Sequence, residues 1–102
     1  MIPIDSLRVI AEPRRREILR LIWDDELAVT AIADRFDVSM AAVSQHLARL
    51  RDAGMVVVRP DGKRRLYRAN RTALADFAPL LEQMWRTDVD RLAEAAEAED
   101  AM

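Results

Sequence analysis

The sequence predicts a mainly α-helical domain that carries one small β-hairpin: five to six helices and a two-stranded ribbon. Apolar residues recur at three- and four-residue steps along most of the chain, the spacing of a helix face turned to a core. Two β-prone runs, Val56–Arg59 and Arg64–Ala69, flank the turn-forming Pro60-Asp61-Gly62-Lys63. The 102 residues suit one domain, 1–102, whose core would be thin in a monomer.

Each element has a local cause. Ile4, Leu7 and Ile10-Ala11 put an amphipathic helix at Asp5–Ala11. Glu12-Pro13 ends it, because the proline ring excludes the preceding residue from helical conformations. Pro13 also opens the second helix, since its fixed φ suits the first helical position. That helix reaches about Trp23, with Ile18, Leu19, Leu21 and Ile22 on its buried side. After the polar Asp24-Asp25-Glu26, a third helix spans Val29–Phe36 with Ile32, Ala33 and Phe36 inward. Asp37-Val38 makes a tight turn, and Ser39 caps a fourth helix whose inward stripe is Val43, Leu47 and Leu50. Gly54 suits the residue just past its end. Asp61-Gly62 is a strong hairpin signal because the turn needs positive φ. Asn70 caps a last helix from Arg71 to about Ala98, kinked or interrupted at Pro79. Its apolar positions are Leu74, Phe77, Leu81, Met84/Trp85, Val89, Leu92 and Ala96, and residues 99–102 at its acidic, Ala-rich end are expected to fray.

Composition excludes much. The chain is 51% hydrophobic and 33% charged, as in a globular protein. No apolar run approaches the roughly 20 residues of a membrane span. Met1–Ser6 shows no secretory pattern, so a cytoplasmic protein with no membrane partner is expected. The absence of cysteine removes disulfides, thiolate metal sites and Cys nucleophiles, and His46 is the one histidine. No nucleophile–base pair or glycine-rich phosphate loop is visible, so no enzyme, metal or cofactor is expected. The net charge of −2 hides an asymmetry: Ser39–Arg71 holds 8 basic residues against Asp52 and Asp61, whereas residues 72–102 hold 2 basic against 8 acidic. A local positive field of this kind is what a polyanion would meet.

The fourth helix supplies the sharper clue. Met40, Ala41, Ser44 and Gln45 form an outward face that is small, polar and uncharged, where a helix meant only for water would carry Glu and Lys. A helix pair joined by a tight turn, then a hairpin rich in Arg59, Lys63, Arg64, Arg65 and Arg68, is the order of a winged helix-turn-helix. In that arrangement Gln45 can bond adenine, Ser44 either base type, and Met40 or Ala41 a thymine methyl, while hairpin cations meet phosphate or a narrow minor groove. The expected DNA-binding set is Ser39, Met40, Ala41, Ser44, Gln45, Arg49, Lys63, Arg64 and Arg65.

Over Leu7–Asn70 the chain resembles the ArsR/SmtB family of bacterial winged-helix repressors. The resemblance rests on IAEPRRREILRLI at Ile10–Ile22, VSMAAVSQHLARLRDAGMV at Val38–Val56 and RPDGKRRLYRAN at Arg59–Asn70. It implies a homodimer built on the first and last helices (1–11 and 71–98), a helix-turn-helix over 29–53, a wing over 56–69, and repression from an inverted-repeat operator in double-stranded DNA. Metal-sensing members carry two cysteines in the segment matching ELAVTAI at Glu26–Ile32, and a second site of Asp and His on the last helix. Here Ala28 and Thr30 stand in the first, and the last helix has Asp76, Glu82, Asp88 and Asp90 but no histidine. A subgroup that does not sense metals is therefore implied, with the releasing signal, including any small-molecule effector, unknown.

Further expectations are open to test. The stripe with Ile4, Leu7, Leu74, Leu81, Met84, Trp85 and Leu92 is expected to be a subunit seam, because Met84 and Trp85 are costly to expose. His46 is expected to be packed and hydrogen-bonded rather than a metal ligand. Arg14–Arg16 are expected to make structural ion pairs, with DNA-backbone contacts as the alternative. Asp88 and Asp90 are expected on a solvated face. The acidic pI and the small alanines at 41, 42 and 48 leave a second function open, a winged-helix protein-interaction module with only weak, non-specific DNA binding.

Overall fold

The computed structural model describes residues 4–100 and, within them, the side chains of residues 5–89, 91 and 95. The elements run α1 (Ile4–Ala11), α2 (Pro13–Leu21), β1 (Leu27–Ala28), α3 (Val29–Ala33), α4 (Met40–Asp52), β2 (Val56–Asp61), β3 (Arg64–Ala69), a 3-10 turn (Ala75–Phe77) and α5 (Ala78–Asp100). The strands form one antiparallel sheet in the order β1-β3-β2.

The helix ends are set by their own residues. Glu12 is extended and its carboxylate accepts from the Arg15 backbone N–H at 3.1 Å, so Pro13 starts α2 behind a side-chain cap. Ser39 Oγ accepts from the Ala42 N–H at 3.1 Å and caps α4. At the other end of α4, Gly54 takes φ 74°, and the N–H groups of Gly54 and Met55 donate to the carbonyls of Arg51 and Leu50, both at 2.9 Å. This paired reversal satisfies carbonyls that a helix end would leave orphaned.

The sheet departs from expectation in having a third strand. Leu27 and Ala28 pair with Tyr67 and Leu66 of β3, joining the start of the helix-turn-helix to the hairpin. Two residues carry no alternation of their own, so this strand exists only because β3 offers it an edge. The hairpin is also longer than expected: β2 runs through Pro60 to Asp61, which pairs with Arg64. Proline is tolerated there because β2 is an edge strand. Gly62 has φ 62°, and among the described residues no non-glycine has positive φ, so Lys63 lies on the negative side. Positive φ at the first central position alone is the type II′ pattern, which matches the twist of the flanking strands.

Two helices differ in extent. The third ends at Ala33 rather than Phe36, and residues 34–36 continue as turn with Asp34, Arg35 and Phe36 N–H donating to Thr30, Ile32 and Ala33. The last segment is split rather than kinked. Asn70 Oδ1 accepts from the Ala73 N–H at 3.2 Å, as a cap would, but the chain then passes through a turn and the 3-10 segment, and α5 begins only at Ala78 with Pro79 in its first turn. There the missing proline N–H has no helical partner to lose. The helix then continues to Asp100; 101 and 102 lie outside the described residues.

The core gathers one side of every helix. Ile10 of α1, Ile18 and Leu19 of α2, Ile32 of α3, and Val43, Leu47 and Leu50 of α4 are essentially inaccessible, closed below by Met55 and by Val56 and Ala69 of the sheet. Leu74 and Leu81 belong to this same core at 0% exposure, which corrects their expected place at a subunit seam. Periodicity marks them as buried but cannot say against which chain. Trp85 also turns inward in part. Its ring meets Trp23 edge-on at 5.3 Å, and its Nε1 donates to the Arg16 carbonyl at 2.8 Å. The side chains of Ile4 and Leu92 lie outside the described residues.

Two arginines of α2, Arg15 and Arg16, serve the fold. Arg15 Nε donates to the Val9 carbonyl at 2.6 Å, and buried Arg16 donates through Nη1 to the carbonyls of Ile10 and Ala11 at 3.0 and 2.8 Å. Together they cap the last turn of α1, where the helix dipole favours cations. Arg16 also meets Asp88 of α5 at 3.3 Å. Asp88 is therefore not on a freely solvated face, because a buried guanidinium recruits the nearest carboxylate; the Asp90 side chain lies outside the described residues.

Candidate nucleic-acid interface

The core stripe of α4 fixes what the helix shows to the outside. With Val43, Leu47 and Leu50 buried, α4 leaves Met40, Ala41, Ser44, Gln45 and Arg49 exposed, beside the exposed cap Ser39. Met40 keeps 50% of its surface in water, unusual for so large an apolar side chain. The first two turns of α4 contain no side chain of fixed charge. Thr30 of α3, Arg14 of α2 and Arg35 are exposed as well. The structure thus brings the six helix residues of the expected set onto one accessible side of α4 and its cap.

His46 sits half-buried on the flank of α4, its Nδ1 3.8 Å from Glu12 Oε2. It is packed as expected, but the contact is longer than a hydrogen bond. Arg14, Ile18, Phe36, Val38 and Val43 enclose the same small gap of α2 and the turn.

The wing is less uniformly cationic than its sequence. Arg59 donates through Nε and Nη2 to both oxygens of Glu26, at 3.1 and 2.9 Å, a two-pronged contact from the sheet to the segment before β1. This hydrogen bond holds the Glu26 carboxyl below the usual carboxylate range and raises Arg59 further. Arg64 donates to Asp61 across the turn at 3.1 Å. Lys63, Arg65 and Arg68 are exposed, and among the described residues no carboxylate comes within ion-pair reach of them. Of the three expected wing residues, Lys63 and Arg65 are open to a ligand, and Arg64 is shared with Asp61. Glu26 was missed because it lies 33 residues from Arg59, and no local pattern links them.

Ala28 is buried in its pairing with Leu66, and Thr30 is an exposed hydroxyl, neither a soft donor. Among the described residues no three of His, Cys, Asp and Glu gather, and no helix is long and apolar enough to cross a membrane.

A short helix, a tight turn and an exposed second helix beside a basic hairpin define a winged helix-turn-helix protein. Residues 10–59 match the family model described as a helix-turn-helix domain. The chain is 34% identical over 97 residues to the HTH-type transcriptional regulator Rv2034 of Mycobacterium tuberculosis, covering 95% of this chain and 91% of that one. It is 34% identical to the transcriptional activator HlyU of Vibrio cholerae serotype O1 (78% and 73% covered), and 29% identical to the arsenical resistance operon repressor of Escherichia coli K12 (90% and 80%). Among solved structures, a possible transcriptional regulator for arsenical resistance superposes with TM-score 0.69 at 40% identity, covering 89% of this chain and 95% of that one. The homodimeric winged helix-turn-helix DNA-binding domain of Mb0332 from Mycobacterium bovis, a possible ArsR-family regulator, superposes with TM-score 0.66 at 31% identity (86% and 79% covered). The chain belongs to the ArsR family of winged helix-turn-helix transcriptional regulators.

Proposed function

We propose that this protein is a homodimeric, sequence-specific DNA-binding repressor that acts on an inverted-repeat operator in double-stranded DNA without sensing a metal. The observation that carries the reading is the uncharged exposed face of α4 beside open wing cations. In this reading α4 enters the major groove, where Gln45 and Ser44 meet base edges and Met40 and Ala41 meet thymine methyls. Ser39 and Arg49 hold the flanking phosphates with Lys63, Arg64 and Arg65. We assign it no catalysis. The second copy packs on α1 and α5, where Leu7 and Met84 remain half-exposed and Val89 keeps 55% of its surface in water. Metal independence is supported by Ala28 and Thr30, and repression by the name of the arsenical relative, against which stands the activator HlyU.

The test is a titration of the purified protein against its own upstream DNA and a scrambled duplex of equal length, at low and near-physiological salt. A preference of about 10³ or more that survives the higher salt is expected, together with no effect of a chelator. Equal, salt-labile binding to both duplexes would overturn operator recognition and favour a winged helix whose partner is a protein, consistent with the wing cations already matched by Glu26 and Asp61.

A further inference from the structure

Between α3 and the wing lie two cations and two hydroxyls that the fold does not use. Lys63 and Arg65 are exposed, and among the described residues no carboxylate comes within ion-pair reach of either. The hydroxyls that make hydrogen bonds among the described residues are those of Ser39 and Thr87, so those of Thr30 and Tyr67 are uncommitted. Both are accessible. The Thr30 side chain is exposed, and the Tyr67 oxygen reaches solvent, because among the described residues no enclosed side-chain oxygen lacks a partner.

All four side chains line one cleft of about 310 Å³. The local fold gathers them there. Arg65 and Tyr67 stand two apart on β3 and so share one face of the sheet. Tyr67 pairs with Leu27 of β1, and two residues later the chain enters α3, which holds Thr30 in its first turn. Lys63 joins them from the hairpin turn. Arg64 also lines the cleft, but its guanidinium is held by Asp61. Two free cations beside two neutral O–H donors suit an oxyanion, and Lys, Arg, Thr and Tyr are donors that a duplex backbone meets.

We propose that this cleft clasps one backbone phosphate of the duplex, with Thr30 and Tyr67 donating hydrogen bonds to it beside the charges of Lys63 and Arg65. Thr30 belongs to α3 and the other three to the hairpin, so a single phosphate ties the wing to the helix-turn-helix. The proposal deepens the DNA-binding reading; it rests on duplex binding and not on operator recognition.

Thr30→Val and Tyr67→Phe remove the hydroxyls and little else. Anisotropy titrations of each against the upstream DNA and the scrambled duplex test the clasp. Each variant is expected to weaken both duplexes equally, about fivefold, because a phosphate contact carries no sequence information. The salt slope should stay that of the parent, since no charge is lost. Thr30→Ser keeps the hydroxyl and should bind as the parent does. In an Arg65→Ala background, Tyr67→Phe should cost clearly less than it does alone, the coupling that two groups on one ligand show and a merely structural tyrosine does not. Either hydroxyl variant binding both duplexes as tightly as the parent overturns the proposal. So does a loss confined to the upstream DNA, which would make the hydroxyl a base reader, or an undiminished loss in the Arg65→Ala background. A parent that binds the two duplexes alike overturns operator recognition alone, and equal losses in the two variants then still support the clasp. A parent that binds neither duplex overturns both.

Discussion

Arg59 and Arg64 each face a carboxylate of their own chain, Glu26 at 2.9 Å and Asp61 at 3.1 Å, whereas Lys63, Arg65 and Arg68 face solvent. A phosphate must compete with Asp61 for Arg64 but meets no such rival at Arg65. Arg65→Ala is therefore expected to weaken binding to every duplex and reduce the salt slope by about 1, and Arg64→Ala to do less. Asp61→Asn should strengthen binding several-fold to all sequences alike. Gln45→Ala, in contrast, should reduce discrimination at one operator position by about 1–3 kcal/mol while sparing non-specific affinity. Anisotropy titrations at two salt concentrations separate these; an unchanged operator preference in Gln45→Ala would remove Gln45 from the base-reading set. Glu26 adds a pH dependence. Its carboxyl is held low by the hydrogen bond from Arg59, so the pair stabilises the fold above the ordinary carboxylate range and is lost as pH falls through the lowered value. The melting temperatures of Glu26→Gln and the parent should converge on acidification, by a small margin because both groups are exposed.

The same division between local cause and distant partner recurs among the elements. Ends of α4 are written in adjacent residues: Ser39 at the start, Gly54 at the finish. Ser39→Ala should cost about 1 kcal/mol in urea unfolding, the usual worth of such a cap. Gly54→Ala should cost a similar amount, about 1 kcal/mol, from backbone strain at φ 74° alone, since a Cβ there meets nothing within 4 Å. If Gly54→Ala were neutral, the reversal after α4 would not depend on left-handed backbone. The strand β1 is the opposite case. Leu27-Ala28 has no period to read, and only the free edge of β3 makes it a strand. The split before α5 lies between these extremes, since Pro79 signals a break but a helix start at Ala78 serves it as well as a kink.

Across the whole molecule, burial sorts the last apolar stripe into two functions. Leu81 is fully enclosed by its own chain, so Leu81→Ala is expected to cost about 2–5 kcal/mol of unfolding free energy. Val89, more than half exposed on the same helix, should do little to folding but much to assembly. Val89→Asp is expected to yield folded monomers by sedimentation equilibrium. A stable Val89→Asp dimer would move the second copy off this face of α5. Both residues share the same three- and four-residue rhythm, which is why spacing could not tell them apart.

By itself the sequence determined the helix order, the helix start at Pro13, the cap at Ser39, the hairpin at Gly62 and the uncharged face of α4, because each rests on neighbours within a turn or two of chain. It also determined the family, through three segments whose order carries the helix-turn-helix and wing. Tertiary structure alone decided which cations remain open, which leucines of the last stripe close the core, and that Arg16 and Asp88 meet across 72 residues. The physical reason is that charge pairing and burial depend on distances through space, which periodicity along the chain does not encode.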